Sequence, residues 1–70
     1  MNKKVEIDDQ DLMLYTVSEV ARFLKVNKNV VYKLIQQGYL SGIKIGCMKI
    51  SRKSLVTFLN DNDGKKVELD

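Results

Sequence analysis

The stretch YTVSEVARFLKVNKNVVYKLIQQGYL, residues 15–40, decides the fold of this 70-residue chain. Its apolar residues recur at the three- and four-residue spacing that places them on one face of an α-helix, first over 17–24 and again over 28–37. Only the tripeptide KVN, residues 25–27, separates the two periodic segments. A link this short predicts two helices that cross steeply, since a long side-by-side hairpin would need more chain to turn.

Residues that start and stop helices bound both segments. Thr16 and Glu19 have the spacing of a capping box, in which the hydroxyl accepts from a first-turn N–H and the carboxylate accepts from the N-cap N–H. Asn27 is a favoured N-cap for a second helix over 28–37. Gly38 then supplies the left-handed conformation that ends many helices.

Alternation of apolar and polar residues over 42–51 predicts a β-hairpin. We expect Gly46 and Cys47 to form a two-residue turn, because glycine suits the first position of a type II′ turn. This register pairs Lys44 with Lys49 on a basic upper face. The apolar underside is then formed by Ile43, Ile45, Met48 and Ile50, with Ile45 opposite Met48 and Ile43 opposite Ile50.

A third helix is predicted after the hairpin. Ser51 is its N-cap, and Leu55, Phe58 and Leu59 follow at helical spacing. The helical pattern weakens over 60–64. Three helices and a hairpin predict a mostly α-helical domain with a small β-hairpin, the winged helix-turn-helix architecture, in which the hairpin is the wing.

The tails differ from the middle of the chain in composition. We expect one domain over residues 12–60, between a flexible acidic tail over 1–11 and a flexible charged tail over 61–70. The net charge of the whole chain is +3, but residues 15–60 carry eight basic side chains and one acid, a net charge of +7. A basic surface on a small helical domain predicts a polyanionic partner. The alternative is that these lysines only keep a small protein soluble.

Several classes of function have no residues to support them. The chain contains no histidine and one cysteine, Cys47, so the sequence predicts neither a metal site nor an internal disulfide. Glu19 is the one acid of the basic middle, which leaves acid–base catalysis without a pair of groups. We therefore expect no enzyme activity and no cofactor. The sequence also shows no membrane span and no signal peptide, so a cytoplasmic protein is expected.

The second helix offers polar side chains that suit recognition of DNA. With Val31, Leu34 and Ile35 facing inward, its remaining residues must face outward. Asparagine, lysine and glutamine bond base edges in a major groove, and Asn29 lies in the first turn, which enters the groove deepest. An outward tyrosine can bond phosphate, or it can pack its ring on the first helix. The candidates are Lys28, Asn29, Tyr32, Lys33 and Gln36.

Two arrangements of positive charge around the hairpin are unfavourable in the free protein. Lys44 and Lys49 repel when they lie directly opposite each other. Arg52 and Lys53 lie in the first turn of the third helix, where the helix dipole favours acids. A phosphate beside these four residues would reverse both effects, so we count them as candidate backbone contacts. The alternative is that exposed basic side chains splay apart in water.

The quoted stretch, followed by IKIG, MKIS and RKSLVTFL, resembles the excisionase-type helix-turn-helix family, small winged-helix proteins related to the MerR DNA-binding domain. The resemblance covers residues 14–60. It implies that the second helix reads the major groove of double-stranded DNA and that the wing reaches the minor groove or the backbone. It also implies a role in a mobile element, as a recombination directionality factor or a small transcriptional regulator, with an integrase or a second copy of the chain as partner.

Three positions depart from the pattern of that family. Lys25 stands where many members have glycine, and Val30 stands where threonine is common. The wing tip, 46–48, lacks the arginine and tryptophan of many relatives, so deep insertion of the wing into the minor groove is not expected. A second hypothesis, a protein-interaction adaptor that works through its acidic tails, stays open beside DNA binding.

Overall fold

A computed structural model describes residues 13–69 of the chain. The whole N-terminal tail predicted over 1–11, together with Leu12 and Asp70, lies outside the described residues. Three helices and a hairpin are present, which confirms the predicted architecture, and a short additional strand precedes the first helix. The elements are β1 (Leu14–Thr16), α1 (Val17–Leu24), α2 (Lys28–Gln36), β2 (Gly42–Ile45), β3 (Cys47–Ser51) and α3 (Arg52–Asp61).

All three predicted helix starts are confirmed by their hydrogen bonds. The Glu19 N–H donates to Thr16 Oγ1 at 3.1 Å, and the Thr16 N–H donates to Glu19 Oε1 at 2.9 Å, which completes the capping box. At the start of α2 the Val30 N–H donates to Asn27 Oδ1 at 3.2 Å. Ser51 caps α3 in the same manner, with a distance of 3.0 Å to its donor. The free N–H groups at each helix start therefore have partners supplied by the local sequence.

The turn between α1 and α2 depends on a left-handed lysine. Lys25 has φ 60° and ψ 44°, and it is the one non-glycine residue with a positive φ in the described chain. Its N–H donates to the Arg22 carbonyl at 3.2 Å, and the next N–H, of Val26, donates to the Ala21 carbonyl at 2.9 Å. This pair of bonds is a Schellman motif, which normally has glycine at the left-handed position. The short link predicted from the sequence therefore closes through a strained residue.

The core lies where the two crossing helices meet the middle of the sheet. Val20 of α1, Val31 of α2 and Ile50 of β3 are all fully buried. Leu55 and Phe58 of α3 are also buried, as their spacing predicts, but Leu59 is 47% exposed. The apolar face of α3 is therefore narrower than the sequence indicates. The complete core is Val17, Val20, Ala21, Val31, Leu34, Leu40, Ile50, Leu55 and Phe58.

The predicted register of the hairpin is wrong by one residue. The strand order is β1-β3-β2, and the pairs of the hairpin are Gly42 with Ile50, Ile43 with Lys49, Lys44 with Met48, and Ile45 with Cys47. Gly46, with φ 75°, therefore forms the turn by itself.

Space on the inner face of the sheet accounts for this register. A Cβ built on Gly42 would lie 2.6 Å from Met48 Sδ and 3.4 Å from Ile35 Cγ2, so the position opposite Ile50 has no room for a large side chain. The predicted register would place Ile43 there.

A one-residue shift moves every side chain of a strand to the other face. Ile43 and Ile45 consequently lie on the outer face of the wing, 44% and 57% exposed, and not on an apolar underside. Lys44 and Lys49 are on opposite faces, so the like-charge repulsion predicted between them is absent from this hairpin.

The chain beyond α3 packs partly on the domain. Val67 and Leu69 are half-buried against the core, a contact that the sequence analysis did not anticipate. The flexibility predicted for residues 61–70 remains a prediction. No helix of the described chain is both long and apolar enough to cross a membrane.

Replacing the strained residue of the turn tests its energetic cost. Lys25→Gly should raise the free energy of unfolding by about 0.5–1 kcal/mol, because the relief of left-handed strain is partly offset by the entropy of glycine in the unfolded chain. Urea unfolding followed by circular dichroism measures this difference. Lys25→Ala is the matched control, since it removes the charge and keeps the Cβ; an equal gain in both variants would show that charge, and not backbone strain, is responsible.

Candidate nucleic-acid interface

A surface cleft of about 280 Å³ opens between the start of α1, the exposed side of α2 and the tip of the wing. Three separate parts of the chain therefore meet at one concave surface. Its lining residues are Thr16, Val17, Ser18, Lys28, Tyr32, Cys47 and Met48.

The outward face of α2 carries the side chains that the sequence analysis selected. Val31 and Leu34 are buried and fix the orientation of the helix, while Ile35 is half-buried beside the sheet. All five candidates of this helix are exposed, as predicted from their spacing: Lys28, Asn29, Tyr32, Lys33 and Gln36. Polar groups that can donate and accept hydrogen bonds thus project from one helix toward solvent, the arrangement that a major groove accommodates.

Tyr32 combines the two alternatives, packing on the first helix and exposure to a ligand. Its side chain is 49% exposed, and it lines the cleft together with Val17 and Ser18 of α1. One side of the ring therefore borders the first helix, and the rest is open toward any ligand in the cleft. The aromatic pair that involves α1 is a different one, Tyr15 with Phe23, whose ring centroids are 5.1 Å apart.

Among residues 13–69, no salt bridge engages the positive charges around the cleft. Neither α2 nor α3 has an acid in its first turn. Within residues 13–69, the salt bridge found is Lys66 Nζ to Glu68 Oε2 at 3.6 Å, near the C-terminal end. The lysines of α2 and of the wing are therefore available to an external anion, and the N-terminal dipoles of the helices add to their field.

The two wing lysines face in different directions. Lys44 pairs with Met48, so its side chain lies on the same face of the sheet as Met48, whereas Lys49 lies on the opposite face with Cys47; both Met48 and Cys47 line the cleft. The Lys49 ammonium instead folds over the wing tip, where Nζ lies 3.4 Å from the Ile45 carbonyl oxygen and 3.8 Å from Cys47 Sγ. Among residues 13–69 no hydrogen bond holds the Lys44 ammonium, so it is the freer of the two to meet an external anion.

The basic start of α3 belongs to another part of the surface. The Arg52 N–H donates to the Met13 carbonyl at 3.0 Å, which joins this helix start to the chain before β1. Lys53 lines a separate groove of about 410 Å³. A hydrogen bond of 2.8 Å from the Ser41 N–H to Ser54 Oγ crosses this groove. The other lining residues are Gly38, Tyr39, Ser51, Thr57 and Asp61.

Of the candidate residues, the structure brings Lys28 and Tyr32 together in the cleft. The others do not line it: Asn29, Lys33, Gln36, Lys44, Lys49, Arg52 and Lys53. Sequence reasoning missed Ser18 at the start of α1, although the capping box marks that helix start and its free N–H groups. Cys47 is an exposed free thiol at the wing tip. No group of three metal-ligating side chains occurs among residues 13–69.

Comparison with known proteins agrees with this geometry. The model of the helix-turn-helix domain family matches residues 14–63, which include all six elements of secondary structure. The chain therefore belongs to the helix-turn-helix domain family, a class of DNA-binding domains. No curated protein and no solved structure matches the chain.

The register of the wing generates a prediction about its lysines. Lys44→Ala should reduce the slope of log affinity against log salt for duplex DNA by about 0.9, the value for one lost phosphate contact. Lys49→Ala should change the slope by less than half as much, because its ammonium is held on the wing tip. Fluorescence anisotropy at several salt concentrations measures both slopes. Lys66→Ala, in the distant ion pair, is the control, and a larger effect of Lys49→Ala would contradict the assignment.

Proposed function

We propose that this domain binds double-stranded DNA in a sequence-specific manner without catalysing a reaction. In this proposal α2 enters the major groove and the wing lies along the adjacent backbone. The observation that carries the proposal is the placement of the outward face of α2 and the tip of the wing around one cleft, with Lys28 in its lining and no acid in the first turn of α2. Family membership supports DNA as the partner.

Specificity is assigned to α2. Asn29, Lys33 and Gln36 are exposed on the side of the helix away from the core, and each can bond a base edge. Asn29 is in the first turn and has the amide geometry that suits adenine. We assign Tyr32 and Lys28, which line the cleft, to contacts at the edge of the groove, where bases and phosphates are both within reach.

Affinity is assigned to charge. Six basic side chains are candidates for phosphate contact: Lys28, Lys33, Lys44, Lys49, Arg52 and Lys53. If about four of them meet phosphate, log affinity should fall with log salt at a slope of about −3 to −4. Lys53 lies in its own groove, so its contact requires DNA that extends beyond the cleft.

The biological role proposed is that of an excisionase, which is a recombination directionality factor, or of a small transcriptional regulator of a mobile element in the cytoplasm. Both roles follow from the family resemblance of residues 14–60 and from a domain too small for a large interface. One such module buries modest area on DNA, so we propose that function requires a second copy or a cooperating protein such as an integrase.

A protein-interaction adaptor is the second candidate function. One observation favours it: an apolar groove on the side of α2 away from the wing, described below, is partly open. The two functions predict different salt dependence of the binding affinity. Binding to DNA weakens steeply as salt rises, because it releases counterions from the DNA, whereas docking of apolar surfaces does not release them.

The DNA proposal is tested by the variant Asn29→Ala. Binding sites are first selected from a random duplex library with the unaltered protein, and affinities are then measured for a selected and a random duplex. Asn29→Ala should weaken the selected duplex by about 1–3 kcal/mol and leave the random duplex nearly unchanged, because it removes a base contact only.

Gln37→Ala is the matched control, since Gln37 is an exposed amide at the C-terminal end of α2, opposite to the first turn that carries Asn29. Equal losses on both duplexes would refute the role of Asn29. Failure of the unaltered protein to bind any duplex in low salt would refute the proposed function as a whole.

A further inference from the structure

A second concave surface lies on the side of α2 that faces away from the wing. It is an apolar groove of about 300 Å³. Val26, in the turn before α2, remains 37% exposed there, so the groove is not closed. It shares no residue with the cleft. Its lining is Leu24, Val26, Val30, Leu34, Phe58, Val67 and Leu69.

The last two lining residues show what the groove accepts. Val67 and Leu69 are two positions apart and half-buried, whereas Glu68 between them is exposed and pairs with Lys66 in solvent. The segment 66–69 therefore turns alternate aliphatic side chains toward the core, where they form one wall of the groove, and its charges outward. It acts as a bound peptide that happens to belong to the same chain.

Few interactions hold this segment in place. In the described part of the chain, the last backbone hydrogen bond outside helices and strands is from the Lys65 N–H to the Asn62 carbonyl, at 3.0 Å. Gly64, with φ 78°, lies within the link between α3 and the segment. The position of segment 66–69 thus depends mainly on the packing of two aliphatic side chains. A competing segment with the same alternation of aliphatic and charged residues can replace them.

We propose that the groove is a docking site for a short extended segment of a partner protein, and that Val67 and Leu69, which form one wall of it, pack against its other lining residues when the partner is absent and give way to the partner's segment. The ligand presents two aliphatic side chains two residues apart, with acidic residues at and beside the intervening position. Its acidity is inferred from charge complementarity, because the exposed Lys25 lies between two lining residues, Leu24 and Val26. The surrounding domain also has a net charge of +7.

The groove and the cleft use nearly opposite sides of one helix. Val30 and Leu34 each follow a cleft residue, Lys28 or Tyr32, by two positions, which corresponds to a rotation of about 200° around the helix. A partner in the groove therefore leaves the cleft open. The domain can then bind DNA and the partner at the same time and link the two. This last inference, unlike the docking site itself, rests on the proposed function.

The experiment uses the full chain and the peptide Lys-Val-Glu-Leu-Asp, which copies residues 66–70. The variant Val67→Ser/Leu69→Ser keeps the length and charge of the chain but empties the groove of its own segment. Titration of the ¹⁵N-labelled variant with peptide should shift the amide signals of Leu24, Val26, Val30 and Leu34. A peptide with both aliphatic residues replaced by serine is the control and should cause no such shifts.

The unaltered chain should bind the same peptide more weakly than the variant, because its own segment competes. If that segment fills the groove nine-tenths of the time, the apparent affinity falls about tenfold. Peptide shifts confined to the groove in the unaltered chain support the proposal even if the variant does not fold.

Absence of shifts in both proteins, or shifts confined to the cleft, would overturn the proposal. A dimer of the unaltered chain that is lost in the variant would also overturn it, in favour of exchange of segments between copies. None of these three outcomes depends on DNA, so failure of the groove is distinguishable from failure of the cleft.

Discussion

The turn at Lys25 is the constraint on which the rest of the structure depends. A left-handed residue there ends α1 and reverses the chain within three residues, so α2 must cross α1 with their apolar faces in contact. Val20 and Val31 are then fully buried, and Ile50 of the sheet completes their contact surface. Any other path for the turn would move α2 relative to the wing and separate the side chains that line the cleft. The left-handed backbone of Lys25 therefore lowers the stability of the fold somewhat, and it fixes the orientation of α2 relative to α1.

The parts of the fold that could be predicted are those determined by local chemistry. Thr16, Asn27 and Ser51 begin helices because each supplies an oxygen to nearby N–H groups, and these partners lie within three residues in the sequence. Which residues of α2 are exposed could also be predicted, because the helical periodicity of its apolar residues is a local property of the sequence. Where a helix begins and which way it faces are properties that a short stretch of sequence contains.

The register of the wing could not be predicted, because it is decided by tertiary space. The alternation of apolar and polar residues around Ile43 and Met48 is compatible with either register. A turn of two residues that begins with glycine gives the predicted register, and a turn of one glycine gives the observed register. The deciding fact is that Ile35, from another element, and Met48 fill the space beside Gly42. The packing of Val67 and Leu69 was missed for a similar reason, since two aliphatic residues in a short charged segment are too few to establish a periodicity. In the candidate site, Lys28 and Tyr32 were found by helical spacing, whereas the separation of Lys53 from them depends on how α3 packs.

The outer face of the wing has a consequence for the behaviour of the protein in solution. β2 is an edge strand, and it presents Ile43 and Ile45 to solvent beside unpaired backbone groups. Exposed aliphatic residues on a free strand edge are a template for aggregation between copies. Lys49, opposite Ile43 on the same face, places an ammonium group over this surface, as gatekeeper charges do beside apolar strands. A residue first considered for its affinity to phosphate thus also protects the wing from pairing with another wing at high concentration.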